Sequence, residues 1–200
     1  MNIMPVINLP VFPLPVFLLP NGITRLRIFE QRYLKMIQIA SVNNGFVIVS
    51  KNINIENKSE DLVEAEVWGS WVDIINFDTG EDGVLEIDVK CKNLVHLSSL
   101  TKDDDNLHFS DIEICPHWDE STIENETNPL FQSLLSLFEQ TPLLQALYKN
   151  ETTANTQWVI ARWLEILPIS FEVKELFSKP DSYSTAQEFV QSIVVANRTH

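Results

Sequence analysis

Leu9-Pro-Val-Phe-Pro-Leu14, Leu19-Pro-Asn-Gly22, Leu26-Arg-Ile-Phe-Glu30 and Arg32-Tyr33 follow one another near the start of the chain, and their reading decides the fold. The first 24 residues carry no side-chain charge. A secretory signal would need a basic start and a small-residue cleavage site, and neither is present. A membrane span would need an unbroken apolar helix. Pro5, Pro10, Pro13, Pro15 and Pro20 interrupt this run, and each removes a backbone donor and clashes with a preceding helical turn. The stretch therefore reads as extended chain, with its prolines at strand edges and turns.

Downstream, the hydrophobic period changes from two to near four. Tyr33, Met36, Ile37 and Ala40 recur at helical spacing, so Gln31 to Val42 is expected to be a helix. Asn43-Asn-Gly45 is a helix stop, and Phe46-Val-Ile-Val49 a short strand after it. Val63, Ala65 and Val67 alternate with Glu64, Glu66 and Trp68, and Leu85, Ile87 and Val89 with Glu86, Asp88 and Lys90. Thr79-Gly-Glu-Asp-Gly83 has the composition of a hairpin turn. Leu94 to Leu97 and Leu107 to Ile114 continue the strands.

After Trp118 the character shifts. Residues 119–127 read as an acidic linker. Asn128-Pro129 opens a helix with a cap and a first-turn proline, and Leu130, Leu134, Leu135, Leu137 and Phe138 form its apolar stripe. Pro142 to Tyr148, Thr156 to Leu167 and Phe171 to Phe177, the last capped by Ser170, are further helices. Ser184-Thr-Ala-Gln187 is a capping-box pattern for the last. The expectation is an α+β chain: a β lobe over 1–118, a linker over 119–127 and a helical lobe over 128–200.

The chain has 200 residues, 44% hydrophobic and 21% charged, ordinary for a globular protein. Its formal net charge is −14. The balance is uneven: +3 over residues 1–50, −15 over 51–127 and −2 over 128–200. Such a charge opposes binding to phosphate backbones and anionic membranes. Cys91 and Cys115 are too few for a disulfide framework and read as buried thiols in a reducing cytosol.

Chemistry-bearing motifs are sparse. With five glycines in total, there is no P-loop and no dinucleotide fingerprint. There is no G-x-S-x-G elbow and no H-E-x-x-H. Cys115-Pro-His117 offers two ligands where a tetrahedral metal site wants three or four, so His117 is expected to be exposed beside an inward Cys115. Cys91 and His96 lack an orienting third group for nucleophilic catalysis. Glu86 and Asp88 share a strand face that reads as solvated, and Asp103-Asp-Asp105 as a loop. Trp68, Trp71 and Phe77 surround a bend expected at Gly69. As large rigid rings they are the candidate partner surface, with packing into the core as the alternative reading. Trp158 and Trp163 lie five apart on one helix and cannot face one direction.

The opening stretch quoted above resembles the LON substrate-binding domain: a proline-interrupted strand, a P-x-G turn, a strand ending Ile-Phe-Glu and a helix starting Arg-Tyr. That domain is N-terminal in ATP-dependent Lon proteases and also occurs as stand-alone proteins. Asp82-Gly-Val-Leu-Glu-Ile-Asp-Val89 is similar to the family's D-G strand. Leu143-Leu-x-x-Leu-Tyr148 and Trp158-Val-x-x-Arg-Trp-Leu-Glu-Ile-Leu-Pro168 are similar to the helical part of stand-alone bacterial members. Where the family usually has a glycine and a basic turn after the D-G strand, this chain reads Cys91-Lys-Asn-Leu-Val95.

The resemblance implies a PUA-like pseudobarrel of about six strands and one helix, followed by a helical bundle. It implies a non-catalytic, cytoplasmic module that binds protein or unfolded peptide segments, without the ATPase and protease that carry the Lon activity. No catalytic residue, metal or cofactor is expected, and neither nucleic acid nor membrane as a partner. A small-molecule enzyme or ligand-binding protein with a pocket between the lobes is the alternative. An RNA-binding PUA-like protein is a third reading.

Overall fold

The computed structural model describes residues 7–42, 44–49, 67–118, 126 and 128–196. The expected alternation from Val63 to Glu66 and nearly all of the expected linker fall outside these residues. Two compact units form. One comprises Met1–Pro20 and Thr24–Cys115, the other Asn21–Ile23 and Pro116–His200.

The first unit is a pseudobarrel. Its strands are β1 (Ile7–Pro13), β2 (Ile23–Ile28), β3 (Phe46–Val49), β4 (Val67–Thr79), β5 (Leu85–Leu97), β6 (Thr101–Lys102) and β7 (His108–Cys115), with helix α1 (Gln31–Val42) between β2 and β3. The sheet order is β2-β5-β4-β3-β1-β7-β6, and β5 also pairs with β7. That last pairing, Leu94 to Leu97 against Ile112 to Cys115, closes the sheet on itself. β1 and β3 run parallel, with Val11 beside Val47. The first part of β5 and all of β2 lie beyond the closed part.

Closure explains which side chains form the core. Strand side chains alternate faces with a period of two, and a closed sheet puts one face inside. Leu9 and Val11, Val47 and Val49, Val67 and Trp71, Val95 and Leu97, and Ile112 make one buried cluster. Within each strand they are separated by even steps, so one face of all five strands turns inward. Gly69 belongs to the same face. A Cβ there would lie 2.6 Å from the Val47 side chain, so a larger residue would not fit the barrel interior. The outer face is covered in turn. Phe12 packs against Tyr33 of α1 with ring centroids 4.3 Å apart and lies 6.2 Å from Phe46. The segment after β1 bonds to the end of β3, Leu14 N–H to the Val49 carbonyl at 2.8 Å. It then crosses β4, where Ser70 Oγ donates to the Leu18 carbonyl at 2.7 Å.

The second unit contains α2 (Pro129–Gln140), α3 (Pro142–Tyr148), α4 (Thr156–Ile166), α5 (Phe171–Glu175), a single 3-10 turn (Leu176–Ser178) and α6 (Tyr183–Ala196). Asn128 and Asn155 cap α2 and α4, their side chains accepting from Leu130 N–H at 2.9 Å and Trp158 N–H at 3.0 Å. The Ser170 side chain makes no cap bond to α5. The capping box expected at Ser184 does not open α6 either, because the helix begins at Tyr183. Ser182 ends the preceding loop, its hydroxyl accepting from Trp118 Nε1 at 2.9 Å. Phe138, Tyr148 and Trp158 form an aromatic core with centroids 4.7 to 6.3 Å apart. Trp163 faces elsewhere, donating from Nε1 to the Leu130 carbonyl at 3.1 Å. Both tryptophans are buried, because α4 is enclosed on every side from Trp158 to Leu164.

His117 departs from the expected exposed position. Its ring stacks at 4.5 Å on Trp118, and Nε2 lies 3.3 Å from the Phe177 carbonyl. Burial drives its pKa down to about 4, with the Arg162 charge adding to the effect and the Phe177 carbonyl opposing it. The folded state therefore keeps His117 neutral while the unfolded chain protonates it near its ordinary value. Unfolded chain binds more protons below about pH 6.5, so stability is full above that pH and falls on acidification towards pH 4. The loss at pH 4 should reach about 3 kcal/mol at most. Urea titrations of wild type and His117→Gln across this window test it. The variant should show a flatter profile, and equal slopes would exclude His117 as the source.

Candidate functional site

The three aromatic side chains expected to form one partner surface are not brought together. Trp68 and Trp71 are three apart on β4, an odd step, and so face opposite sides of the strand. Trp71 points into the barrel and is 7% exposed. Its Nε1 donates to the Asn44 carbonyl at 2.7 Å, and Lys92 Nζ sits 4.3 Å over its ring. Trp68 is half-buried on the outer side, edge-on to Phe17 at 5.9 Å. Phe77 stands apart and is 54% exposed. The expected bend at Gly69 is absent. The register shifts come later, between Trp71 and Val72 and between Ile74 and Asn76. A bulge turns the following residues and adds local twist, and it is this second shift that brings Ile75 to the surface, 47% exposed. Ile75 is not among the residues the sequence marks as a candidate surface. The Ile75-Asn-Phe-Asp78 alternation was the available signal, a two-residue period with an apolar face that nothing nearby in sequence covers.

The surface around Phe77 is a long hairpin. β4 and β5 pair from Val67 and Leu97 down to Thr79 and Leu85. The turn closes with Gly80 N–H to the Val84 carbonyl and Gly83 N–H to the Gly80 carbonyl, each at 2.8 Å. On the β5 side the hairpin is braced by β2. Arg25 donates to both oxygens of Asp88, at 2.6 and 3.0 Å, and Asn76 Nδ2 reaches the same carboxylate at 3.1 Å. Arg25 also lies 3.5 Å from Glu86, and Arg27 pairs with Asp82 and with Glu86. Burial alone would raise the Asp88 pKa; the bonds from Arg25 and Asn76 outweigh it and hold it below the usual carboxylate range. The Glu86 and Asp88 face is thus an ion-pair network rather than the solvated face expected, and Asp88 is buried.

On the other side of the hairpin, β3 pairs with β4 only from Ser70 to Val72. From Asp73 to Thr79 the outer edge of β4 has no strand partner among the described residues. Exposed edges of this kind are templates for pairing with another chain.

The remaining candidates resolve differently. Cys91 is buried and bonds weakly to the Asn93 carbonyl at 3.6 Å. Cys115 is half-buried, not fully buried. Among the described residues no group of three or more His, Cys, Asp and Glu side chains is placed to hold a metal ion. At Asp103 and Asp105 a cation is already supplied, since the Lys35 ammonium from α1 bonds to both carboxylates. These bonds raise the Lys35 pKa and lower that of Asp103. In the helical unit, a shallow depression lined by Asn128, Pro129, Leu130, Glu188, Gln191 and Ser192 contains a single carboxylate and no nucleophile–base pair. No helix among the described residues is long and apolar enough to cross a membrane.

The sequence matches the family described as the ATP-dependent protease La (LON) substrate-binding domain over residues 8–182. The chain belongs to this family. A Lon N-terminal domain protein from Xanthomonas campestris is similar in structure, with a TM-score of 0.61 and 25% identity over 93% of this chain and 98% of that one. The N-terminal domain of a Lon protease from the Mycobacterium avium complex has a TM-score of 0.56 over 92% of this chain and 96% of that one. Its identity of 13% makes that a likeness of fold alone. No curated protein matches. The braced hairpin, with its edge unpaired among the described residues, therefore belongs to a LON substrate-binding domain.

Proposed function

We propose that this LON substrate-binding domain is a non-catalytic recognition module that binds protein segments, unfolded ones above all, in the cytoplasm. The observation that carries the reading is the extent of the family match, residues 8–182, to a domain described by substrate binding. Geometry adds support. Phe29, Ile75 and Phe77 are exposed apolar side chains, and the β4 edge offers backbone groups to an extended partner. Charge weighs against the RNA-binding reading. All four basic side chains of the N-terminal segment are engaged by carboxylates, Arg25 and Arg27 by the hairpin, Arg32 by Glu30 and Lys35 by Asp103 and Asp105.

Fluorescence anisotropy with a labelled protein, presented native and then reduced and permanently unfolded, tests the proposal. Saturable binding of the unfolded form, weak binding of the native form and none of an RNA oligonucleotide are expected, with no ATP hydrolysis or peptide cleavage by the pure chain. Equal binding of both protein forms, or turnover at a rate that survives repurification, would overturn it.

A further inference from the structure

We propose that the outer edge of β4 from Asp73 to Thr79 is where an extended peptide adds as a further strand, and that the preferred peptide alternates apolar with basic side chains. This rests on the peptide-binding reading above and names the site and the chemistry of the partner.

Three features of the edge point to this occupant. The first is the backbone. β3 leaves β4 after Val72, and beyond it alternate residues turn N–H and C=O groups outward. Among the described residues, Thr79 N–H is met locally, by the Asp78 carboxylate at 2.8 Å. The second is rigidity. The opposite side of the hairpin is fixed by Arg25, Asn76 and Asp88 and by Arg27 with Asp82 and Glu86. A template braced on one side and without a strand partner among the described residues on the other loses little freedom when a strand is added.

The third is the side-chain pattern. Ile75 and Phe77 are exposed and apolar, and Asp78 follows them. Residues 73–90 contain six acidic groups and one basic group. Asp82, Glu86 and Asp88 pair with Arg25 and Arg27, and Asp73 with Lys92 at 3.2 Å. Asp78 lies within electrostatic reach of Arg25 but, like Glu81, forms no ion pair among the described residues, and with two arginines set against Asp82, Glu86 and Asp88 the hairpin keeps a net negative charge beside its apolar side chains. Cross-strand pairs of opposite charge and of apolar side chains are the ones that stabilise an added strand. The free edge thus matches Lys or Arg alternating with Val or Phe. A second copy of this chain fits less well, because it would bring Asp78 and Glu81 towards their own kind.

The test uses the full chain and a short labelled peptide alternating Val or Phe with Lys, a scrambled peptide of the same composition, and one N-methylated at alternate backbone nitrogens. The alternating peptide should bind most tightly and protect amides of Asp73 to Thr79 from hydrogen exchange. N-methylation should abolish binding. Phe77→Lys should weaken binding about tenfold without lowering the unfolding temperature, since the side chain is exposed. Asp78→Lys with Glu81→Lys should shift preference to a Glu-containing peptide.

Binding that survives N-methylation and Phe77→Lys, with protection elsewhere, would overturn the edge proposal and leave peptide recognition standing. No binding of any peptide or unfolded protein would overturn both. Concentration-dependent dimerisation abolished by Phe77→Lys would show the edge to be filled by a second copy, and would also overturn the proposal.

Discussion

Glu165→Leu should destabilise the helical unit by about 3–5 kcal/mol, the range seen when one partner of a buried ion pair is removed. Arg162 is wholly enclosed, 0% exposed. It donates from Nε and from the second guanidinium nitrogen to the two oxygens of Glu165, at 2.7 and 2.8 Å. The Glu165 side chain is itself 8% exposed. The Arg162 guanidinium cannot shed its charge at any ordinary pH, and the Trp158 face at 5.5 Å compensates only in part for a lost carboxylate. The variant would fold with an under-compensated cation in its core or not fold at all. The pair itself is a different matter. Replacing both residues, Arg162→Met with Glu165→Leu, removes the desolvation cost along with the attraction and should recover most of the loss. Urea unfolding followed by tryptophan fluorescence reads both variants. A single variant within 1 kcal/mol of wild type, or a double variant as unstable as the single, would show that the pair is not what holds α4 in place.

Arg162 also shows where sequence reading reached its limit. Thr156 to Leu167 was legible as a helix, and the family likeness of Trp158 to Pro168 was legible too. Nothing local told that an arginine inside it would be fully buried, because that depends on α2 and α6 closing around α4. The same division runs through the barrel. Gln31 to Val42 and Phe46 to Val49 were readable because caps, glycines and hydrophobic period lie within a few residues of each other. Trp71, a candidate for a partner surface, is buried instead because the pairing of β5 with β7 closes the sheet over distant residues. The three-residue step from Trp68 to Trp71 already barred a shared face, and the sequence signal for that was present. At Glu86 and Asp88 the acidic strand looked solvated because the two arginines that neutralise it arrive from β2, some sixty residues earlier. The free edge at Ile75 and Phe77 was hidden for the opposite reason. Alternation announces a strand with two unlike faces, but not whether a neighbour will cover its edge.

Gly45→Ala is expected to have a comparably large effect in the barrel unit, about 3 kcal/mol or more, from backbone strain combined with overpacking. Gly45 follows α1, donating its N–H to the Ala40 carbonyl at 3.0 Å. Asn44 and Gly45 turn the chain into β3 with φ of 65° and 85°. A Cβ at that φ is strained in any setting, and here it would overlap the Val72 carbonyl oxygen of β4 outright. The obstacle is backbone, which cannot swing aside as a flexible side chain can. Relief would require β3 to separate from β4 where Phe46 pairs with Val72, disturbing the barrel wall beside Trp71. Gly83→Ala separates the two contributions. Gly83 has a similar φ of 79°, yet nothing lies within 4 Å of an added Cβ. That variant should lose only about 1 kcal/mol, the conformational cost by itself. Chemical denaturation of both variants gives the comparison. Equal losses would mean that φ alone matters and that the Val72 carbonyl gives way to the added methyl; a loss at Gly45 at least twice that at Gly83 is the expected result.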